Sequence, residues 1–165
     1  MDRQFFGVAA ADVRSAVDGL TFLKAIVAGT QPQAPICELL GFRLSAVDKG
    51  RAVFEGIPQF EHYNPFGTVH GGFAATLLDS ALGCAVASTL AKGEAFTTLE
   101  FKINLVRALT DHTGPVRAEA RILYRGRTVA TSESGLKDAS GKLYAHATTT
   151  CMIFPAKPRL GEGSL

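Results

Sequence analysis

The chain has 165 residues, enough for one domain with a core of its own. Apolar residues make up 47% and charged residues 19%, which is typical of a folded globular protein and excludes a disordered chain. The net charge is +2 and no Lys/Arg-rich block occurs, so the sequence does not favour nucleic-acid binding.

The cysteines and the apolar segments disfavour several other classes. The three cysteines stand far apart, with no C-x-x-C pair and no Cys/His cluster, so neither a disulfide framework nor a zinc site is indicated (Cys37, Cys84 and Cys151). We interpret them as buried thiols in a reducing cytoplasm. The first twenty residues contain acids and no continuous apolar core, which disfavours a signal peptide. The apolar run at 73–91 has Asp79 in its middle and no charge asymmetry at its flanks, which disfavours a membrane span.

The first third of the chain predicts a helix, a break and a pair of strands. Residues 11–29 repeat apolar side chains at helical spacing and predict one helix. Residues 29–35 are rich in Gly and Pro and form a break, and a short apolar piece follows at 36–40. Residues 42–58 predict two short strands around a turn at Asp48-Lys49-Gly50.

A polar loop and a long apolar run follow. The loop covers 59–67, and the run at 69–90 is long enough for a helix and too long for one strand. Four segments with period-two alternation come next, separated by turn signals at 111–114, 125–126 and 139–141. The first of these segments is predicted to place four apolar side chains on one face: Leu99, Phe101, Ile103 and Leu105.

Together these elements predict an α+β fold in which an antiparallel sheet of five or six strands covers one long helix. We divide the chain into an N-terminal helical extension (1–35), a main domain (36–155) and a flexible tail (156–165). A sheet this small leaves its edges open, which favours dimerisation by edge pairing or through the helix face.

One acid interrupts the predicted central helix. On a helical wheel, small residues fall on the same side as Asp79, and larger ones fall opposite (Gly72, Ala75, Thr76 and Gly83 against Phe73, Leu77, Ala81 and Cys84). The large side chains can therefore pack on the sheet, while the Asp79 side permits close approach by a second helix or a substrate. A carboxylate on a mostly apolar helix is costly unless it is paired, so Asp79 is either a structural acid with a hidden partner or a chemical group.

The start of the same helix has the composition of an anion site. Thr68 or His70 lies where the helix cap should be, and Gly71-Gly72 follows. Glycines at this point let a ligand approach the first free backbone N–H groups, and the helix dipole favours a developing negative charge. The segment therefore has the outline of an oxyanion site, although glycine pairs also serve ordinary turns.

If these two features share one site, their spacing predicts a dimer. Gly71 and Asp79 are eight residues apart, which is about 12 Å along a helix that rises about 1.5 Å per residue. An oxyanion donor and a base must both lie within about 3 Å of one reacting group, so one copy of the helix cannot supply both. Two antiparallel copies can, because the start of one helix then lies beside Asp79 of the other.

Residues 62–83 resemble the signature of the hotdog-fold acyl-CoA thioesterases, in particular the PaaI-like group of the phenylacetate pathway. The matching residues are Asn64, the run Gly67-Thr68-Val69-His70-Gly71-Gly72, and Asp79, followed by strands; the similarity extends over about residues 39–154. The resemblance implies a long helix wrapped by an antiparallel sheet and hydrolysis of an acyl-CoA thioester without a metal or other cofactor. It also implies a homodimer at minimum, and a homotetramer where dimers pair again.

Carried over residue by residue, the resemblance implies four catalytic positions. Asp79 attacks the thioester carbonyl or activates water, and the Gly71 N–H polarises that carbonyl. Asn64 orients the substrate or the hydrolytic water. Thr98 falls near a hydroxyl position that assists the water, with one extra loop residue before it. Gly83 stands where a related subgroup, with a catalytic Glu, has a Thr, so the chain departs from that subgroup.

Substrate contacts are expected at the helix start and at a basic turn. His70 and Gly72 belong to the motif, with His70 interpreted mainly as structural. The turn Arg125-Gly126-Arg127 offers cations for the phosphates of CoA, as similar basic turns of the family do, and a solvated hairpin explains it equally well. The loop aromatics fit an acyl pocket or plain loop packing (Phe60, His62, Tyr63 and Phe66).

Two other functions compete with the thioesterase. A non-catalytic acyl-CoA-binding hotdog module, as in lipid-sensing repressors, would need an added DNA-binding domain, and the N-terminal segment is short with few basic residues (Arg3, Arg14 and Lys24). A hotdog hydratase would resemble a pattern in which the acid precedes the His, whereas here His70 precedes Asp79.

Overall fold

The computed structural model describes residues 5–156 and contains four α-helices and six strands in that range. The helices are α1 (Ala11–Ala16), α2 (Gly19–Val27), α3 (Pro35–Leu39) and α4 (Gly71–Ala87), with a 3₁₀ turn at Phe60–His62. The strands are β1 (Phe42–Asp48), β2 (Arg51–Gly56), β3 (Glu94–Leu105), β4 (Val116–Arg125), β5 (Val129–Asp138) and β6 (Leu143–Pro155).

All six strands form one antiparallel sheet in the order β1-β2-β4-β5-β6-β3. Helix α4 packs against every strand of this sheet. The core between them is aliphatic, because Leu77, Leu78 and Leu82 of the helix are completely buried against the inward-facing side chains of the strands. The structure confirms the predicted α+β layout with one long central helix.

The predicted first helix is two helices in the structure. A single helix was expected over 11–29, but the chain breaks between α1 and α2 because Asp18 has extended backbone dihedrals and caps α2. Its carboxylate accepts hydrogen bonds from the Thr21 N–H (2.9 Å) and the Thr21 hydroxyl (2.9 Å). The apolar spacing runs through this break, so periodicity alone does not reveal it. The short apolar piece at 36–40 forms most of α3.

A bulge in β3 corrects the predicted strand face. Phe101, Ile103 and Leu105 lie opposite the buried β6 residues Thr149, Ala147 and Ala145, as one face requires. Leu99 falls where the register shifts between Thr98 and Glu100, and its side chain is 57% exposed. The extra residue therefore interrupts the strict alternation that was predicted from Leu99 onwards, whereas the alternation from Phe101 to Leu105 is present.

The two edges of the sheet differ. At the β1 edge, the buried side-chain amide of Gln33 takes the place of a neighbouring strand. Its side-chain oxygen accepts the Leu44 N–H (3.0 Å), and its NH₂ group donates to the Leu44 carbonyl (3.1 Å). The Gln33 backbone in turn pairs with Phe5 and Gly7. At the other edge, β3 pairs with β6 on one side, has no strand on its outer side within the described range, and exposes Leu99, Phe101 and Leu105. The N-terminal region thus covers one edge and leaves β3 open to pairing.

The predicted tail lies almost wholly outside the described residues, since only Ala156 of 156–165 falls within them. The division at residue 35 stays a prediction, although Gly19 of the N-terminal region donates its N–H to the Leu90 carbonyl beyond the end of α4 (3.1 Å). Among residues 5–156, no helix is both long and apolar enough to cross a bilayer.

Candidate active site

The loop before α4 is built around the side chain of Asn64. Its carbonyl oxygen accepts the Phe66 N–H (2.8 Å), and its amide donates to the Thr68 hydroxyl (3.0 Å). The Asn64 N–H donates to the Thr68 carbonyl (2.8 Å), and Gly67 closes the turn at a φ of 86°. Asn64 therefore has a defined structural task, and its position depends on local hydrogen bonds.

His70 caps α4. Its Nδ1 accepts the Gly72 N–H at 2.8 Å, so the cap is His70 and not Thr68, the other residue that the sequence allowed. With Nδ1 accepting, the neutral ring carries its proton on Nε2. A side chain on Gly72 would stand 2.9 Å from that Nδ1, which explains the glycine. The sequence interpretation of His70 as mainly structural agrees with this geometry.

The Gly71 N–H, at the start of the helix, has no hydrogen-bond acceptor within the described residues. The N–H groups of Gly72 and Phe73 both bond to His70, whereas the Gly71 N–H meets no acceptor among residues 5–156. Gly71 borders a cleft of about 320 Å³ that is also lined by Asn64, His70, Leu105 and Arg107. An unpaired backbone donor at the N-terminus of a 17-residue helix, open to a cleft, is suited to an oxyanion.

Asp79 lies about two turns further along α4 and does not line that cleft. The side chain is half-buried, and none of the described residues donates a hydrogen bond to it. Burial raises the pKa of the Asp79 carboxyl above its ordinary value. The partner that a structural acid requires is thus absent from the described part of this chain, which leaves the carboxylate available to another molecule.

Thr98 belongs to the Asp79 end of the site. Its hydroxyl lies 3.9 Å from the Cys151 sulfur. Burial raises the pKa of the Cys151 thiol. A Cβ at Gly83 would lie 3.5 Å from the Phe96 ring, whereas one at Gly71 would meet Leu105, so the first part of β3, with Thr98, runs beside the later part of α4. One chain therefore places Asn64, His70 and Gly71 together, and Thr98 with Asp79 further along the helix.

The basic turn forms a third, separate group. The Arg125 guanidinium pairs with Glu94 at 2.6 Å and also bonds to the Gly126 carbonyl. Its Nε is buried without a partner among the described residues, while Arg127 is exposed and makes no ion pair in the same range. Glu94 opens β3, whereas Leu105 beside Gly71 ends it. The turn therefore lies at the end of β3 opposite Gly71, and one of its two charges is already neutralised.

Of the four loop aromatics, His62 and Tyr63 are held by contacts with the rest of the chain, and Phe60 and Phe66 are exposed. His62 stacks on Phe73 with ring centroids 4.5 Å apart, and its Nδ1 accepts the Gln59 N–H (3.0 Å). The Tyr63 hydroxyl donates to the Asp111 carboxylate (2.7 Å) and accepts the Asp111 N–H (3.1 Å). Both residues are occupied by loop packing, whereas Phe60 and Phe66 are largely exposed, at 71% and 89%.

A larger groove lies elsewhere. It measures about 1290 Å³, and its lining includes many charged side chains of β1, β2, β4 and β5. Its arginines are paired with acids of neighbouring strands, as in Arg51–Glu119 (2.6 Å) and Arg117–Glu119 (2.7 Å). None of the catalytic or substrate-binding residues predicted from the sequence lines this groove, so cavity volume alone does not identify the candidate site.

Two residues of the Gly71 cleft were missed by sequence reasoning. Leu105 stands so close to Gly71 that a Cβ there would lie 2.6 Å from Leu105 Cδ1, and Arg107 follows directly after β3. In the sequence, Leu105 and Arg107 stand at the end of a segment with period-two alternation, and nothing else distinguishes them. Because they are more than thirty residues from Gly71 in sequence, no spacing rule connects them to it.

The comparisons with known proteins agree on the family. The model of the thioesterase superfamily matches residues 66–145. A Saccharolobus solfataricus protein, provisionally named an esterase, is 35% identical over 136 residues, covering 82% of this chain and 94% of its own. The 1,4-dihydroxy-2-naphthoyl-CoA hydrolase of Listeria monocytogenes is 27% identical over 70% of this chain and 93% of its own.

A solved structure extends the likeness to the fold. The phenylacetic acid degradation-related protein of Ralstonia eutropha JMP134 superposes with a TM-score of 0.71 at 31% identity, covering 79% of this chain and 98% of its own. The segment that the family model matches begins inside the loop, after Asn64, and contains the helix start and Asp79; the shared fold is the sheet packed on one helix. The chain is a member of the thioesterase superfamily, with the hotdog fold of its PaaI-like branch.

Proposed function

We propose that the protein is an acyl-CoA thioesterase whose active sites each combine two subunits. One observation supports this above the others. Helix α4 carries an N–H at Gly71 and a half-buried carboxylate at Asp79 that have no hydrogen-bond partner among residues 5–156 and lie about 12 Å apart along one axis. Two antiparallel copies of the helix would place each Gly71 beside the Asp79 of the other, so that both groups reach one carbonyl.

The chemistry needs only these groups. Water, deprotonated by Asp79, attacks the thioester carbonyl, and the resulting oxyanion accepts the Gly71 N–H of the other subunit. The tetrahedral intermediate collapses with cleavage of the C–S bond, and the CoA thiolate leaves and takes up a proton. Direct attack by Asp79, through an anhydride that water then hydrolyses, is the alternative course. No metal or organic cofactor enters either course.

The free edge of the sheet supports the required dimer. If β3 pairs with its copy around a two-fold axis near Ala75, the two α4 helices run antiparallel side by side. This arrangement would also cover Leu99 and Phe101, which are exposed in the single chain. A homodimer is then the minimum active unit, and we extend the proposal to a homotetramer of two such dimers in the cytoplasm.

The remaining site residues have supporting roles in this proposal. Asn64 lines the cleft on its loop side and orients the substrate or the hydrolytic water. Thr98 assists the water near Asp79. His70 and Gly72 keep the helix start in place. Antiparallel pairing of β3 would bring the partner's Arg127 turn towards the Gly71 cleft, where it would face the CoA phosphates.

The rival functions have less support. A binding module has no need of an unpaired carboxylate opposite an oxyanion donor, and the name of the Listeria relative describes a CoA-ester hydrolase. The order of His70 before Asp79 disfavours the hydratase. Release of free thiol from a saturated acyl-CoA would separate the thioesterase from both.

The test is thiol release from a panel of aromatic and medium-chain acyl-CoAs. We expect turnover by the native chain and a loss of about 10²- to 10⁴-fold in Asp79→Asn, the range of a positioned acid–base group. Asp12→Asn, the same change on the exposed surface of α1, is the matched control and should keep full activity. Binding of acyl-CoA without any thiol release by the native chain would favour the binding module.

A further inference from the structure

We propose that Tyr63 is a positioning residue of this reaction: its hydroxyl, bound to Asp111, holds the loop that carries Asn64 at the Gly71 cleft. The inference rests on the proposed thioesterase function and names a residue on which the geometry of that site depends. The lining of the cleft comes mainly from two segments, the loop with the helix start (64–71) and the chain that follows β3 (105–109). The relative position of these two segments therefore sets the shape of the cleft.

The Asn64 loop, residues 64–68, is anchored at both of its ends. Its flanking residues, Tyr63 and Val69, form an antiparallel bridge with each other. The Val69 N–H donates to the Leu109 carbonyl (2.9 Å), and the Tyr63 side chain binds Asp111, two residues further on. Both anchors tie the loop to the chain that follows β3, and the second depends on a single side chain.

The contact between Tyr63 and Asp111 has two points. The hydroxyl donates to the carboxylate (2.7 Å) and accepts the Asp111 N–H (3.1 Å), so it acts as donor and acceptor at once. The first bond is charge-assisted, and the second fixes the side chain to the backbone of the other segment. Because the contact is exposed, water replaces it in the unfolded chain, and we expect it to affect the placement of the loop more than the stability of the fold.

The group that this loop presents is the side-chain amide of Asn64. Its oxygen accepts the Phe66 N–H (2.8 Å), and one of its two N–H groups donates to the Thr68 hydroxyl (3.0 Å). The second N–H has no acceptor among residues 5–156, and Asn64 lines the cleft. This N–H is available to the substrate carbonyl or the hydrolytic water, and a group in that role loses much of its effect when it is displaced by about 1 Å.

Tyr63→Phe tests the inference. It keeps the ring and its packing on Phe60 (centroids 5.3 Å apart) and removes both hydrogen bonds to Asp111. We expect kcat for thiol release to fall about 10-fold with KM within about 2-fold, because the oxyanion donor and the base are unchanged and only the Asn64 amide is displaced. Asp111→Asn retains an acceptor oxygen and the N–H, and should keep kcat within about 2-fold of native.

Thr21→Val is the matched control. It removes another exposed hydroxyl-to-carboxylate hydrogen bond, from Thr21 to Asp18 (2.9 Å), at the start of α2. Both kinetic constants should stay native, since α2 contributes no residue to the cleft. The double variant Tyr63→Phe/Asp111→Ala should be no slower than Tyr63→Phe alone, because the two side chains act through one contact.

Hydrogen exchange, followed by NMR, gives a readout that does not depend on turnover. The Phe66 amide bonds to the Asn64 side chain and should exchange faster in Tyr63→Phe. The Gly72 amide bonds to His70 and should exchange at its native rate. A general loss of stability would instead accelerate both amides.

The outcomes separate this inference from the proposed function. Native kcat in Tyr63→Phe, losses that multiply in the double variant, or unchanged exchange at Phe66 would overturn the role of Tyr63 while the thioesterase stands. A native chain that releases no thiol from any acyl-CoA would instead remove the proposed function on which the inference rests. The exchange comparison would still show in that case whether Tyr63 holds the loop.

Discussion

Leu105 of β3 stands directly over Gly71, the first residue of α4: a Cβ at position 71 would lie 2.6 Å from Leu105 Cδ1. The glycine thus lets the end of an edge strand approach the start of the central helix. The obstructing atom is the tip of a flexible side chain, so a small residue at 71 can be accommodated if Leu105 changes rotamer. This makes position 71 open to substitution.

Gly71→Pro should abolish the oxyanion contact and keep the helix. Position 71 is the first helical residue, where proline is well tolerated, and His70 has a ψ of 137°, which is compatible with a following proline. Gly71→Ala introduces the same Cβ and retains the N–H. We expect kcat of the proline variant to be about 10²- to 10³-fold below that of the alanine variant, the cost of one oxyanion donor.

Equal thiol-release rates for these two variants would show that the Gly71 N–H takes no part in the reaction. Circular dichroism and thermal unfolding of both proteins check that the comparison concerns folded chains.

Subunit mixing should restore activity to two inactive variants. A mixed dimer of Asp79→Asn and Gly71→Pro has one site with both functional groups and one site with neither. After full exchange of an equimolar mixture, half the dimers are mixed, so we expect about a quarter of native activity. Mass spectrometry of the intact dimers would establish that exchange occurred. Exchange without recovered thiol release would contradict the shared site.

The pH dependence of stability should reveal the buried charge of Asp79. Burial raises the folded-state pKa of this carboxyl above its ordinary value of 3.8, so the folded state holds the proton more tightly than the unfolded state. The resulting stabilisation is fully present below pH 3.8 and is lost as the pH rises through the folded pKa. Asp79→Asn should therefore be more stable than the native chain at pH 7, with the gap closing on acidification.

Urea unfolding of both proteins between pH 4 and 8 measures this gap. A constant difference across the range would mean that the Asp79 carboxyl titrates normally in the folded protein. In that case kcat/KM should also rise with pH around the ordinary aspartate pKa and not above it.

Assembly and activity should be lost together when the β3 edge carries a new charge. Phe101→Glu places a carboxylate on the free edge strand, at a side chain that is 37% exposed in the single chain. Light scattering should show a monomer, and thiol release should fall about as far as in Asp79→Asn, because no site is complete. Val13→Glu on α1, where the native side chain is also 37% exposed, should affect neither property.

A monomeric Phe101→Glu protein with native turnover would contradict the two-subunit site. A dimer with native turnover would instead show that the subunits meet elsewhere than at β3.

Much of the fold could be predicted because its signals are local. The run at 69–90 produced α4 at 71–87, and the turn at 48–50 joins β1 to β2, where Gly50 has a φ of 78°. The failures are also local in origin. Asp18 caps α2 by accepting the Thr21 N–H, and this cap separates α1 from α2. The apolar spacing continues through the break and therefore predicts one helix. The bulge at Leu99 moves one side chain out of an alternation that continues on both sides.

The amino-acid sequence by itself determined the central helix and the eight-residue separation of Gly71 from Asp79, because these depend on neighbours along the chain and on helical geometry. It left Thr68 and His70 as alternative caps, and the structure selects His70. Only the tertiary structure decided which charges and N–H groups are still unpaired. Glu94 neutralises Arg125 across 31 positions, Leu105 closes over Gly71, and Gln33 seals one sheet edge while β3 stays open. Such pairings depend on which distant segments the packed sheet brings within a few ångströms, and no local pattern records that.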